Sequence, residues 1–223
     1  MSAQKAAAGS AAPPPSPSAA SEPPGAEVPI MGRALPWILA VGGGIGLLAA
    51  FALAIEKVNS LANPDYVPTC SVNPVISCGT VMDTPTAEAF GFPNPLLGIA
   101  CFAIVTAIGM AMLAGASFRP WFWWGLQGGV VFGIGFVHFL IFQSLYKISA
   151  LCPYCMVVWA VMIPIFTYVT LDNVRTGRIP LPAGARSAAG VLIRNHTVVV
   201  TVWFLLIIAA IAQAFWSFWT GQI

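Results

Sequence analysis

Four of the chain's five cysteines fall in two pairs whose spacing suits redox chemistry. Cys152-Pro153-Tyr154-Cys155 opens a long apolar run, and Cys70 and Cys78 lie upstream in a polar stretch. A three-residue step on a helix puts Cys152 and Cys155 on one face, within disulfide reach. Pro153 suits the first turn of that helix, where its missing N–H is not needed. The partial positive charge and free N–H groups of a helix N-terminus favour thiolate over thiol. Cys152 is expected to be the more exposed sulfur, with Cys155 about one turn deeper, towards hydrocarbon. One sulfur then serves a partner in water and the other something dissolved in lipid. The chemistry this suits is electron transfer from a protein thiol to a membrane-soluble acceptor.

Between Cys70 and Cys78 lie Asn73, Pro74 and Ser77, with Pro68 just before. This turn-rich composition predicts a mobile arm able to swing between two positions. Thiol–disulfide exchange runs through mixed disulfides, so two pairs in series make a relay. Two static structural disulfides are the competing explanation, giving a non-enzymatic membrane scaffold. A Cys-x-x-Cys bridge at a helix start argues against it, because it closes too short a loop to constrain much chain entropy. A four-thiolate zinc site is disfavoured by the loose spacing of the first pair, so no metal is expected. Haem attachment requires His directly after Cys155, where the chain has Met156.

The elements that must position these sulfurs are membrane helices. The 223 residues are 58% hydrophobic and 7% charged, against about 25% charged in a soluble domain, and mean hydropathy is +0.86. Five runs, at about 35–55, 95–115, 121–146, 153–171 and 198–219, approach the roughly 20 apolar residues that cross a bilayer. Residues 1–34 form an Ala/Pro-rich tail, predicted to be disordered because it has almost nothing to bury. With the N-terminus in the cytoplasm, Lys5, Arg33, Arg119, Arg175, Arg178, Arg186 and Arg194 fall inside, and only Lys57 and Lys147 outside. The 56–94 loop and the turn before Cys152 then share the outer side. All four cysteines meet there, in the compartment where disulfides persist. The net charge of +2 is too small to suggest nucleic-acid binding.

Together the motifs resemble the vitamin K epoxide reductase family, in its bacterial form that reoxidises thiol-oxidising proteins. The resemblance covers about residues 35–172. Its motifs are Cys70, then Cys78-Gly-Thr-Val-Met-Asp-Thr84, then Phe90-Gly91-Phe-Pro-Asn94-Pro-Leu-Leu-Gly98, then Cys152-Pro-Tyr-Cys155. It implies an all-α integral membrane fold: four transmembrane helices around a quinone site, here followed by a cytoplasmic loop and a fifth helix over 173–223. It also implies that Cys155 meets a quinone of menaquinone or ubiquinone type, while Cys152 exchanges with the loop. Cys78 would pair with Cys152 in that exchange, and Cys70 would form the mixed disulfide with an external protein. Asn94 matches a position that hydrogen-bonds a quinone carbonyl, and Thr84 matches a hydroxyl residue near the active cysteines. Met82, Trp159 and Cys101 are expected beside them in the quinone site. Trp159 stands where vertebrate members carry Tyr, which favours quinone reduction alone over epoxide reduction. No thioredoxin-like domain follows the last span, so the redox partner is expected to be a separate DsbA-like, thioredoxin-like extracytoplasmic protein. A multi-pass plasma-membrane enzyme supporting disulfide formation is the expectation.

Other residues have plainer explanations. Cys101 has no evident mate and reads mainly as a small hydrophobe in the second span. His138, in the third span, suits hydrogen-bonded packing better than a proton relay, and Gln127 and Gln143 suit interhelical contacts. Gly42-Gly43-Gly44-Ile45-Gly46 has no strand before it, so close helix packing outweighs a nucleotide loop. Another quinone-linked architecture, the DsbB type, places its Cys-x-x-Cys before the separated pair, the reverse of the order here.

Overall fold

The computed structural model describes residues 29–180 and 182–221. The expected disordered tail lies outside these residues as far as residue 28. Its last part, from Pro29, is instead helical and runs into the first span.

Five helices are long and apolar enough to cross a membrane: α1 (Gly32–Ala62), α3 (Asn94–Leu113), α4 (Pro120–Ile148), α5 (Pro153–Arg175) and α7 (His196–Ala214). A short helix, α2 (Cys78–Met82), lies in the connection between α1 and α3, and α6 (Ala183–Arg194) precedes α7. Pro120 and Pro153 open α4 and α5 and Pro95 stands second in α3, all within the first turn, where no N–H is required. Among the described residues there is no strand, only an isolated parallel bridge between Ile76 and Leu151. The chain is an all-α membrane protein.

α5 is central, packing on α1 and α4 and touching α7, while α1 also packs along α3. Leu39, Ile163, Ile165 and Val169 are fully buried at these contacts. Within the glycine run of α1, Gly43 and Gly46 serve close approach, as the sequence suggests, while Gly44 faces open space. A Cβ on Gly43 would stand 2.7 Å from the Thr106 hydroxyl, and one on Gly46 would stand 2.6 Å from the Phe102 ring.

α7 lies outside the four-helix bundle and has no buried residue. It is docked by Trp203, whose indole N–H donates to His138 Nε2 at 3.0 Å, while His138 Nδ1 lies 2.9 Å from the Ile134 carbonyl. Both ring nitrogens of His138 are thus used in packing. The helix ends at Ala214, and a short separate turn, Trp216–Trp219, follows in place of one run to 219.

At the end of the bundle away from the cysteines, a polar network closes the helices together. Gln127 of α4 donates to Thr170 and accepts from Asn173 of α5, each at 3.0 Å. Asp172, buried, pairs with Arg175 at 3.1 Å and Arg178 at 2.8 Å. The Arg178 guanidinium lies 4.1 Å from the centre of the Trp123 ring.

Candidate redox site

The other end of the bundle gathers four sulfurs. Cys70 and Cys78 form a disulfide, and Cys152 and Cys155 are free thiols. Cys78 Sγ lies 3.2 Å from Cys152 Sγ, so one sulfur belongs to the loop disulfide and also touches the helix pair. Cys70, Cys78 and Cys152 pack with Leu53 and Met82 in one small buried cluster, against which Cys155 rests.

Each sulfur is placed by local chain chemistry. Ser77 caps α2, its hydroxyl accepting from the Thr80 N–H, which starts a helix at Cys78. Cys152 is the residue before the first turn of α5. The chain reaches it through a wide π-turn over Ser144–Ile148 and a left-handed Ser149 (φ 57°). Ser144 tightens that reversal by donating its hydroxyl to the Ala150 carbonyl.

Two expectations need correction. Cys152 is not open to solvent: the residue is 1% exposed, covered by the loop, and it lines a cavity together with the half-buried Cys155. Nor is the Cys70–Cys78 segment a free arm. Leu151, next to Cys152, donates its N–H to the Val75 carbonyl at 2.7 Å and accepts from the Ser77 N–H at 2.9 Å. The polar loop residues are spent on this docking. Asn73 Oδ1 accepts from the N–H groups of Val75 and Ile76 and folds the turn that presents them to Leu151.

The environment activates Cys152. A hydrogen bond from the Cys155 thiol draws the Cys152 thiol below the ordinary cysteine range. Burial opposes this, and the backbone N–H groups of Cys155 and Tyr154 at the helix start reinforce it.

Behind the sulfurs lies an apolar cavity of about 510 Å³ between α1, α3, α4 and α5, within the roughly 300–1,000 Å³ usual for small-molecule sites. Met82, Thr84, Asn94, Cys101, Cys152, Cys155 and Trp159 all line it. The structure therefore brings every sequence-predicted site residue except Cys70 and Cys78 to one cavity, with those two in the adjoining cluster. Gly125 and Gly129 of α4 also line it and have open space where a Cβ would stand. Phe132 and Phe136 of α4 also line it, and the Phe90 ring packs on them from 6.1 Å and 5.4 Å.

Two polar candidates are already engaged. Asn94 donates to the Thr86 carbonyl at 2.7 Å and accepts from the Ala89 N–H at 3.2 Å. Its second amide N–H is left to donate to a ligand. Thr84 gives its hydroxyl proton to the Val81 carbonyl at 2.8 Å. Cys101 is exposed on the α3 wall. Among the described residues, no group of three or more His, Cys, Asp or Glu is disposed to hold a metal.

The sequence motifs overlook Glu56 and Lys57, the charged pair near the end of α1. Lys57 donates to the Met82 carbonyl at 3.0 Å and pairs with Glu88 at 3.4 Å. Glu56 takes hydrogen bonds from Tyr66 and Thr69. Two adjacent charges at the end of an apolar run were the available signal.

A multi-pass membrane helix bundle with a disulfide against a free thiol pair, beside an apolar cavity, defines a membrane-embedded thiol oxidoreductase class. Residues 37–170 match the model of the vitamin K epoxide reductase family, and the chain belongs to that family. It is accordingly an oxidoreductase. No curated protein gives a significant match to the chain.

Proposed function

We propose that the protein carries electrons from an external thioredoxin-like dithiol protein, through Cys70–Cys78 and then Cys152–Cys155, to a membrane quinone. The observation that carries this is the 3.2 Å contact between Cys78 and Cys152, with Cys155 on the wall of an apolar cavity.

An incoming thiolate attacks Cys70, the Cys70–Cys78 bond breaks, and a second partner thiol completes reduction of the loop. Cys78 then attacks oxidised Cys152, and Cys155 leaves as thiolate. Attack of Cys70 on Cys78 releases Cys152 and regenerates the loop disulfide. The covalent arrangement after these steps, loop oxidised and helix pair reduced, is the one observed. The lowered pKa of Cys152 suits it as the sulfur released in this exchange.

The residues fit a quinone: an apolar cavity with open space over two glycines, a spare Asn94 N–H, and a free thiol at the wall. When bound there, a quinone of menaquinone or ubiquinone type supplies a two-electron acceptor. Met82, Trp159 and Cys101 would hold the ring by contact, Asn94 would orient a carbonyl, and the packed helices would exclude water. Thr84 would act through its bond to the Val81 carbonyl, steadying α2 above the site. The excess of Arg and Lys at the opposite end supports an extracytoplasmic position for the cysteines in the plasma membrane, with the N-terminus inside.

Replacing Cys155 with Ala tests the relay. It should trap Cys152 in a disulfide with Cys78 or the partner, visible on a non-reducing gel, and stop quinol formation by the purified protein. A monomeric variant that still reduces quinone at the wild-type rate excludes the relay and favours a scaffold.

A further inference from the structure

The two cysteines of the loop are held by different contacts. Cys78 is fixed from two sides that do not involve Cys70. Leu151 pairs with the backbone just before it, and Lys57 holds the far end of its helix at Met82. The segment leading to Cys70 has another anchor. Tyr66 donates its hydroxyl to Glu56 Oε2 at 2.9 Å, the Thr69 N–H donates to the same oxygen at 3.3 Å, and the Thr69 hydroxyl donates to Oε1. Glu56 is 7% exposed, and so is Cys70. Val67 and Val72, on either side of Cys70, stand 71% and 74% exposed.

Cys70 is therefore shut in although its neighbours face solvent. An external thiol must reach a sulfur that Glu56 helps keep down.

We propose that Glu56 is a positioning residue, a latch that seats Cys70 beside Cys78 and opens to admit the partner's thiol. The proposal rests on Cys70 being the entry point for electrons. Closed, the latch holds Cys70 ready to attack Cys78 and release Cys152. Open, it frees residues 66–70 as a hinged strip while Cys78 stays against Cys152. The loop is mobile on one side only.

The latch gives the two half-reactions opposite dependences on one residue. Glu56→Gln keeps the shape but loses acceptor capacity, because an amide nitrogen cannot accept from Tyr66 or Thr69. Purified full-length protein is treated with glutathione. Its thiolate attacks Cys70 and forms a glutathione–Cys70 disulfide. The Cys70–Cys78 bond breaks, and its electron pair leaves on Cys78, which takes a proton from water. The adduct is measured by mass. Glu56→Gln should form it about tenfold faster, the factor expected for one net hydrogen bond, and Tyr66→Phe should fall between it and wild type. During turnover with a dithiol and quinone, Glu56→Gln should also accumulate the Cys78–Cys152 disulfide, because an unseated Cys70 resolves it slowly. A merely destabilised protein would not raise one rate while stalling the next step.

Equal glutathione rates in wild type and both variants overturn the latch, and Tyr66→Phe decides alone if Glu56→Gln does not fold. Failure of wild-type protein to pass electrons from dithiol to quinone overturns the relay instead. The glutathione rates then still decide the latch.

Discussion

The two ends of this helix bundle use polar groups in contrasting ways. Away from the cysteines, Asp172, Asn173, Gln127, Arg175 and Arg178 join in a closed network in which charges are paired and amides bonded across helices. At the cysteine end, Glu56, Lys57 and Leu151 each hold a different stretch of one connection over a set of sulfurs. A network of mutual bonds opens all at once or not at all, whereas separate tethers open one at a time. Rigidity is thus concentrated at the end away from the sulfurs, while the tethers over the sulfurs share no partner and can release separately.

The largest effect is expected at the sulfurs. Cys152→Ser removes the atom between the loop and Cys155. Dithiol-driven quinol formation should fall on the order of a thousandfold or more, with the thermal midpoint in detergent little changed. Asp172→Ala should do the reverse. It leaves two partly buried guanidinium groups without their carboxylate, at a cost of about 2 kcal/mol. A lower thermal midpoint should appear while turnover per folded molecule stays the same.

A pH titration sharpens the contrast at intermediate scale. Because Cys155 draws the Cys152 pKa down, thiolate absorbance should appear below the ordinary cysteine range. In Cys155→Ala the donor is lost while burial still pushes upward, so in a Cys70→Ser/Cys78→Ser background, where Cys152 stays a free thiol, the midpoint should move to higher pH. A Cys101→Ala background keeps the signal to the helix pair. The smallest effect belongs to neither end. Trp203→Phe removes the bond from α7 to His138, and should lower stability by about 1 kcal/mol or less, read from denaturant midpoints, without altering quinol formation.

Much of this architecture is legible in the chain because hydrocarbon demands long apolar helices whatever they pack against. The runs near 95–115 and 153–171 correspond to Asn94–Leu113 and Pro153–Arg175. The glycines at 43 and 46 read correctly as packing residues, since no other use fits a membrane helix. Less legible was the state of the loop. Asn73, Pro74 and Ser77 suggest mobility locally, yet their turn presents backbone groups to Leu151, more than seventy residues away, and composition carries no record of that meeting. Glu56 was missed for the same reason: its partners are close in sequence, but what they shut in is visible only when the sulfurs are in place.

The chain alone determined the pairing of chemistry with place: two cysteine pairs, five apolar spans, and alternation that brings both pairs to one end. That follows from local composition and from the bilayer's fixed thickness. Tertiary structure decided which sulfur touches which. It buried Cys152 beneath the loop, turned Cys155 to the cavity and set Cys78 within reach of Cys152. Exchange depends on approach within a few ångströms, and such distances are set by backbone bonds between remote segments rather than by residue type.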